Sequence, residues 1–285
     1  MTDHVPMLRC QHLIVTIYGL YAREQGDLLP VSALVRMLGE LGIQSAGVRS
    51  SVSRLKQRGV LESRRQGGRA QYAIARASLH IFLEGDSRIY APTRASIDDP
   101  WLLVIFSVPE RERAKRHTLR AELTRLGFGT VSSGVWVAPI KIREQSERQL
   151  SRLQLSAYVE FFRADYLGAE DLTANDGVQK VAQWWDLEGL DSLYAEFVGR
   201  YEKVLTSWAT RLAQLASNDQ GRHAFVDYVT MFTEWRRLPY LDPGLPLELL
   251  PEGWNGLAAE QIFNALHRLI GPLAHDYATS VIHGG

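Results

Sequence analysis

Apolar residues recur at three- and four-residue spacing through the first sixty positions, then at every second position, and the change of period marks the first domain. Leu13, Ile14, Ile17, Leu20 and Tyr21 share one face and predict a helix over 12–23. Gly26-Asp27 turns the chain, and Leu28-Leu29 is expected to add a short strand. Leu34, Val35, Leu38 and Leu41 predict a second helix from Val31-Ser32 to Gly42. A third follows, with Ser45 expected as its N-cap and Val48, Val52 and Leu55 as its apolar stripe. Gly59 falls where a left-handed residue ends a helix. The other face carries Ala46, Ser50, Ser53, Arg54 and Gln57, with Arg49 on its rim. Strand-period alternation in Val60–Ser63 and Gln71–Ile74 then predicts a hairpin, turned by Gln66-Gly67-Gly68-Arg69. Helix, turn, polar-faced helix and basic hairpin make a winged helix-turn-helix over residues 1–80.

Residues 81–97 read as a linker, a connecting helix followed by a loop. A second domain is expected over 98–168. Trp101–Val108 is a near-continuous apolar run, as in a buried central strand. Arg111–Leu126 predicts a charged surface helix with Leu119, Leu123 and Leu126 inward and Gly127 as its cap. Two short strands at 129–131 and 134–139, a helix at 142–153 and a strand at 157–162 complete a β-α-β-β-α-β order, that of a ferredoxin-like fold. Residues 178–285 predict a helical domain. The stretch 238–256, with four prolines and three glycines, is too apolar for a disordered linker and reads as an ordered loop. The fold class expected is α+β multidomain: winged helix-turn-helix, ferredoxin-like centre, helical C-terminus.

Charge sharpens this division. The chain of 285 residues has no net charge, yet residues 1–80 hold eleven Lys/Arg against five Asp/Glu, and the remainder 21 against 27. The excess of +6 coincides with the winged helix, where phosphate binding would need it. Arg49, Ser50 and Ser53 lie early in the third helix, the part that meets base edges in the major groove. Arg54 and Lys56, with Arg64, Arg65 and Arg69 on the wing, suit phosphates. The lone Cys10 excludes an intrachain disulfide, no apolar run is long enough to span a bilayer, and no secretory leader is read, so a cytoplasmic protein is expected.

Three stretches resemble one family, the PaaX-type repressors of phenylacetic acid degradation. They are Val48-Arg49-Ser50 and Ser53-Arg54-Leu55 with Gly59 and the arginine wing; Leu126-Gly127-Phe128-Gly129 with Gly134-Val135-Trp136-Val137-Ala138-Pro139; and Trp185-Asp186-Leu187 with Arg236-Arg237, Asp242-Pro243, Leu245-Pro246, Leu249-Leu250-Pro251, Trp254 and Gly256. The resemblance implies a transcriptional repressor that binds double-stranded operator DNA as a homodimer and is released by an aryl-acyl-CoA such as phenylacetyl-CoA. It also implies a middle domain similar to a small CRISPR-associated nuclease.

Two further groups carry chemistry. Trp235, Arg236, Arg237, Tyr240 and Trp254 would offer an effector guanidinium groups for phosphates and aromatic faces for stacking, if the proline-rich loop folds back. Asp98 and Asp99 suggest the alternative, a metal-dependent nuclease targeted by the winged helix. Neighbouring residues on a strand point apart, however, and Asp-Asp-Pro reads more simply as an entry turn. No catalytic residue, metal ligand or cofactor is assigned, and the expected protein is a regulator rather than an enzyme.

Overall fold

The computed structural model describes residues 10–23, 26–66, 69–166, 174–214 and 216–284. Helices and two small antiparallel sheets give a mixed α+β architecture. The chain divides into two compact units, neither continuous in sequence: 1–87 with 197–236 and 258–285, and 88–196 with 237–257.

In the first unit, α1 (Cys10–Ile17) runs into a π-helical turn (Tyr18–Ala22). β1 (Leu28–Pro30), α2 (Val31–Glu40) and α3 (Ser45–Gln57) follow, then the hairpin of β2 (Leu61–Gln66) and β3 (Arg69–Ile74). β1 joins the hairpin as a third strand, in the order β1-β3-β2. Leu28 pairs with Ala73 and Leu61 with Ile74. Gly42 and Gly59 take positive φ, and both end helices. Ser45 is not the cap: Gln44 occupies that position in extended backbone and makes no side-chain cap, so Ser45 is the first helical residue. α4 (Leu79–Tyr90) is the helix expected at the start of the linker, and 91–97 has no helix or strand.

The first unit also holds C-terminal chain. α9 (Ser217–Trp235) and most of α11 (Asn255–His283) belong to it, and α1 packs on α9. The hydroxyls of Thr16 and Thr233, both buried, are hydrogen-bonded at 2.8 Å. Arg222 pairs with Glu40 at 2.6 Å, and Tyr21 contacts the ring of Phe225.

In the second unit β4 (Trp101–Phe106), α5 (Arg113–Leu126), β5 (Gly129–Ser132), β6 (Val135–Pro139), α6 (Arg143–Arg152) and β7 (Val159–Ala164) occur in β-α-β-β-α-β order. The sheet runs β5-β6-β4-β7 with all neighbours antiparallel. Leu102, Val104 and Phe106 point to one face and pack with Leu119, Leu123 and Leu126 of α5 and Leu150 of α6. The apolar run of β4 is therefore buried on one face only, and Ile105 on the other is 40% exposed. β7 begins two residues later than the pattern predicts, because 156–158 form a 3-10 turn.

α7 (Ala174–Trp184) and α8 (Leu187–Gln214) are separated at Trp185-Asp186. Asp186 Oδ1 accepts the Gly189 amide at 2.9 Å, satisfying a free donor of the first turn of α8 and starting a new helix there. The proline-rich stretch holds a short α10 (Leu238–Leu241) and then an ordered loop in which Leu245 and Leu250 are buried. Asp191 caps α11 by accepting the Asn255 amide at 2.7 Å.

Candidate nucleic-acid interface

α3 has two chemically distinct faces. Val48, Ser51, Val52 and Leu55 are buried against α1 and α2. Ala46, Arg49, Ser50, Ser53, Arg54, Lys56 and Gln57 are exposed. The helix closes at Gly59, whose positive φ lets the Val60 amide return to the Leu55 carbonyl at 2.9 Å. Ser78 then donates its hydroxyl to the Gly59 carbonyl at 3.0 Å, tying the helix end to the chain leaving the hairpin. Tyr18 donates to the Tyr72 carbonyl at 3.0 Å, anchoring β3 to the π-helical turn. Burial holds the Tyr18 phenol well above its ordinary range, so it remains a donor.

The predicted DNA residues divide by how they are engaged. Arg54 donates to Ser50 Oγ at 3.0 Å, one turn earlier on the exposed face. Arg49, Ser53 and Lys56 are exposed and make no side-chain hydrogen bond or ion pair with other described residues. Arg64 pairs with Glu62 at 2.8 Å, so part of its charge is neutralised within the hairpin. The Arg65 and Arg69 side chains, and the Gly67-Gly68 turn, lie outside the described residues. Arg58, not singled out from the sequence, is a further exposed cation after α3 and donates to Gln11 Oε1 at 3.3 Å.

The five predicted effector residues fall in both units. Trp235 and Arg236 belong to the first. Trp235 is buried, stacked on Phe263 at 4.6 Å between ring centroids. Arg236 is engaged on α1, donating to Thr16 Oγ1 at 3.0 Å and to the His12 carbonyl at 3.3 Å. Arg237, Tyr240 and Trp254 belong to the second unit. Arg237 is exposed, Tyr240 lies under the Arg88 guanidinium, and Trp254 meets Tyr194 edge to face. The Trp254 Nε1–H is buried without a hydrogen-bond partner among the described residues.

The polar centre of that loop is Asp242. Its carboxylate accepts from Arg94 at 2.8 Å, Tyr194 OH at 3.0 Å and the Gly244 amide at 2.7 Å. Arg94 lies 148 residues away in sequence, a separation no local pattern reveals. Close by, burial and the Arg94 guanidinium push the Lys141 amine down to about 8, and this amine donates to the Thr93 carbonyl. Asp99, one of the two carboxylates behind the nuclease alternative, accepts the Ser96 amide at 2.8 Å, the entry turn expected there. Among the described residues no three His, Cys, Asp or Glu side chains gather as a metal site, and no helix is long and apolar enough to cross a membrane.

α3 thus turns only small, polar and cationic side chains outward beside the β2–β3 hairpin, and comparison with known proteins gives the class as a transcriptional repressor. Residues 9–78 match the family described as PaaX-like protein, 94–175 the PaaX protein central Cas2-like domain, and 185–280 the PaaX-like protein C-terminal domain. The chain is 24% identical over 262 residues to the transcriptional repressor PaaX of Escherichia coli (strain K12), covering 92% of this chain and 80% of that one. It belongs to the PaaX family of transcriptional repressors. Its fold is similar to that of an uncharacterized protein of Mycobacterium tuberculosis, with a TM-score of 0.59 at 19% identity over 95% of this chain and 99% of the other.

Proposed function

We propose that this chain represses transcription in the cytoplasm as a homodimer. α3 reads the major groove of operator DNA and the β2–β3 wing holds the flanking backbone. In this reading 1–80 is a winged helix-turn-helix, 98–168 a ferredoxin-like domain and 178–285 a helical C-terminal domain. The exposed face of α3 carries the proposal: Arg49, Ser50 and Ser53 offer donors suited to base edges and Arg54 and Lys56 suit phosphates, with Arg64, Arg65 and Arg69 of the hairpin proposed as further phosphate contacts. One such helix per chain covers too few base pairs for a unique site, and this favours two chains on half-sites about 34 Å apart.

The effector is an aryl-acyl-CoA, phenylacetyl-CoA in the first instance, with Arg237, Tyr240 and Trp254 of the second unit as candidate contacts. Its binding would favour a dimer state whose reading helices no longer match the half-site spacing. The test is operator binding by the full chain with and without phenylacetyl-CoA. Arg49→Ala combined with Ser53→Ala should lower operator discrimination by about 1–3 kcal/mol for each base pair that is no longer read. Light scattering that found one chain per operator would remove the dimer, and unchanged discrimination in the double variant would remove α3 as the reader.

A further inference from the structure

The second unit carries a run of cations that the operator reading leaves unused. α5 holds five Arg/Lys side chains and a histidine against a single carboxylate, in a half of the chain that is otherwise acidic. Most cations on α5, α6 and the turn before them have carboxylate partners. Lys115 pairs with Glu112, Arg116 with Glu110, Arg125 with Glu122, Arg143 with Glu147 and Arg148 with Glu144. Arg113, His117 and Arg120 differ, being exposed with no ion pair to any described residue.

These three are not scattered. Their spacing of i, i+4 and i+7 puts them in one exposed stripe, about 120° round α5 from Leu119, Leu123 and Leu126. Arg113 and Arg120 are about 10 Å apart along the axis, from 1.5 Å per residue. That is roughly three base-pair steps of 3.4 Å along one DNA strand. The Arg120 guanidinium carbon lies over the Trp136 ring, 6.0 Å from its centroid, a cation–π contact that leaves its charge without a carboxylate partner among the described residues.

We propose that the Arg113–His117–Arg120 stripe of α5 is a second contact surface for the phosphate backbone of duplex DNA. The inference rests on the DNA-binding reading and adds to it a sequence-independent contact made by a different part of the chain. Neutralising a phosphate releases a condensed counterion, so each such contact steepens the dependence of affinity on salt by about 0.9 in a log–log plot.

The experiment is a salt titration of full-chain binding to a duplex of arbitrary sequence. For Arg113→Ala/Arg120→Ala the slope should fall by about 1.8, the equivalent of two phosphates, with the thermal melt unchanged. Arg113→Lys/Arg120→Lys should keep the wild-type slope, because a phosphate contact needs the charge. Arg143→Ala/Arg148→Ala removes the same charge from α6 and should leave the slope in place. An unchanged slope for the α5 alanine pair, or an equal fall for the α6 pair, overturns the proposal while the operator reading stands. No duplex binding by the wild-type chain overturns both.

Discussion

At the scale of single residues, close approach decides more than composition does. Gly129 opens β5 with no side chain, and a Cβ there would lie 2.6 Å from Trp185 Cε2. Trp185 fills that space and donates its indole N–H to the Gly127 carbonyl at 2.9 Å. Gly129→Ala should therefore displace Trp185 and cost about 1–3 kcal/mol, the usual penalty of overpacking, read as a lower urea midpoint. Lys141 is the second case. Its amine loses its proton near 8 in the folded chain and near 10.5 in a free lysine. The folded state thus binds fewer protons between those values, and the cost that Lys141 imposes on stability below pH 8 fades as pH rises through that window. Only the neutral amine is a nucleophile, so trace acetylation at pH 8 should mark Lys141 ahead of the exposed Lys203, as mass spectrometry would show. Equal labelling would contradict the depressed value.

At the scale of elements, α3 separates stability from recognition by face. Leu55 is buried beneath it, so Leu55→Ala should cost about 2–5 kcal/mol in thermal or urea unfolding. Ser53, two residues earlier, is exposed on the opposite face, and Ser53→Ala should leave the melt unchanged while altering preference among DNA sequences. Both faces were legible in the sequence because a 3.6-residue period needs only local spacing. The hairpin was legible for the same reason, its two paired strands being only two residues apart in sequence. The Ser45 cap was not: Ser and Gln stand side by side, and which of them takes the extended backbone depends on how the chain leaves Gly42. The separation of α7 from α8 had a local cause in Asp186, whose carboxylate offers the amides of a new first turn an acceptor.

At the scale of the whole molecule, the first unit is assembled from both ends of the chain. Thr16 on α1 meets Thr233 on α9 across 217 residues, and Arg236 donates to the same Thr16 hydroxyl. A fragment of residues 1–92 would lack these partners together with the Phe225 ring beside Tyr21. It should bind a hydrophobic dye and lack the cooperative melt of the full chain, a comparison made by near-UV circular dichroism. A fragment that melts like the full chain would show that α9 and α11 add nothing to the first unit. The candidate effector residues show the same limit of sequence reading. Trp235 and Arg236 are adjacent to Arg237 in sequence, yet the first two are engaged with α1 and Phe263 while Arg237 stays exposed.

The sequence by itself determined the elements of the first eighty residues, the β-α-β-β-α-β order of the middle and the helical character of the end, along with which residues of α3 face outward. These follow from hydrophobic period and turn chemistry, which act between residues a few positions apart. Only the tertiary structure decided that Asp242 gathers Arg94 and Tyr194, that Lys141 lies in a depressed environment beside them, and that α9 completes the unit begun by α1. Those outcomes depend on which distant surfaces exclude water from one another, and no window of neighbouring residues carries that information.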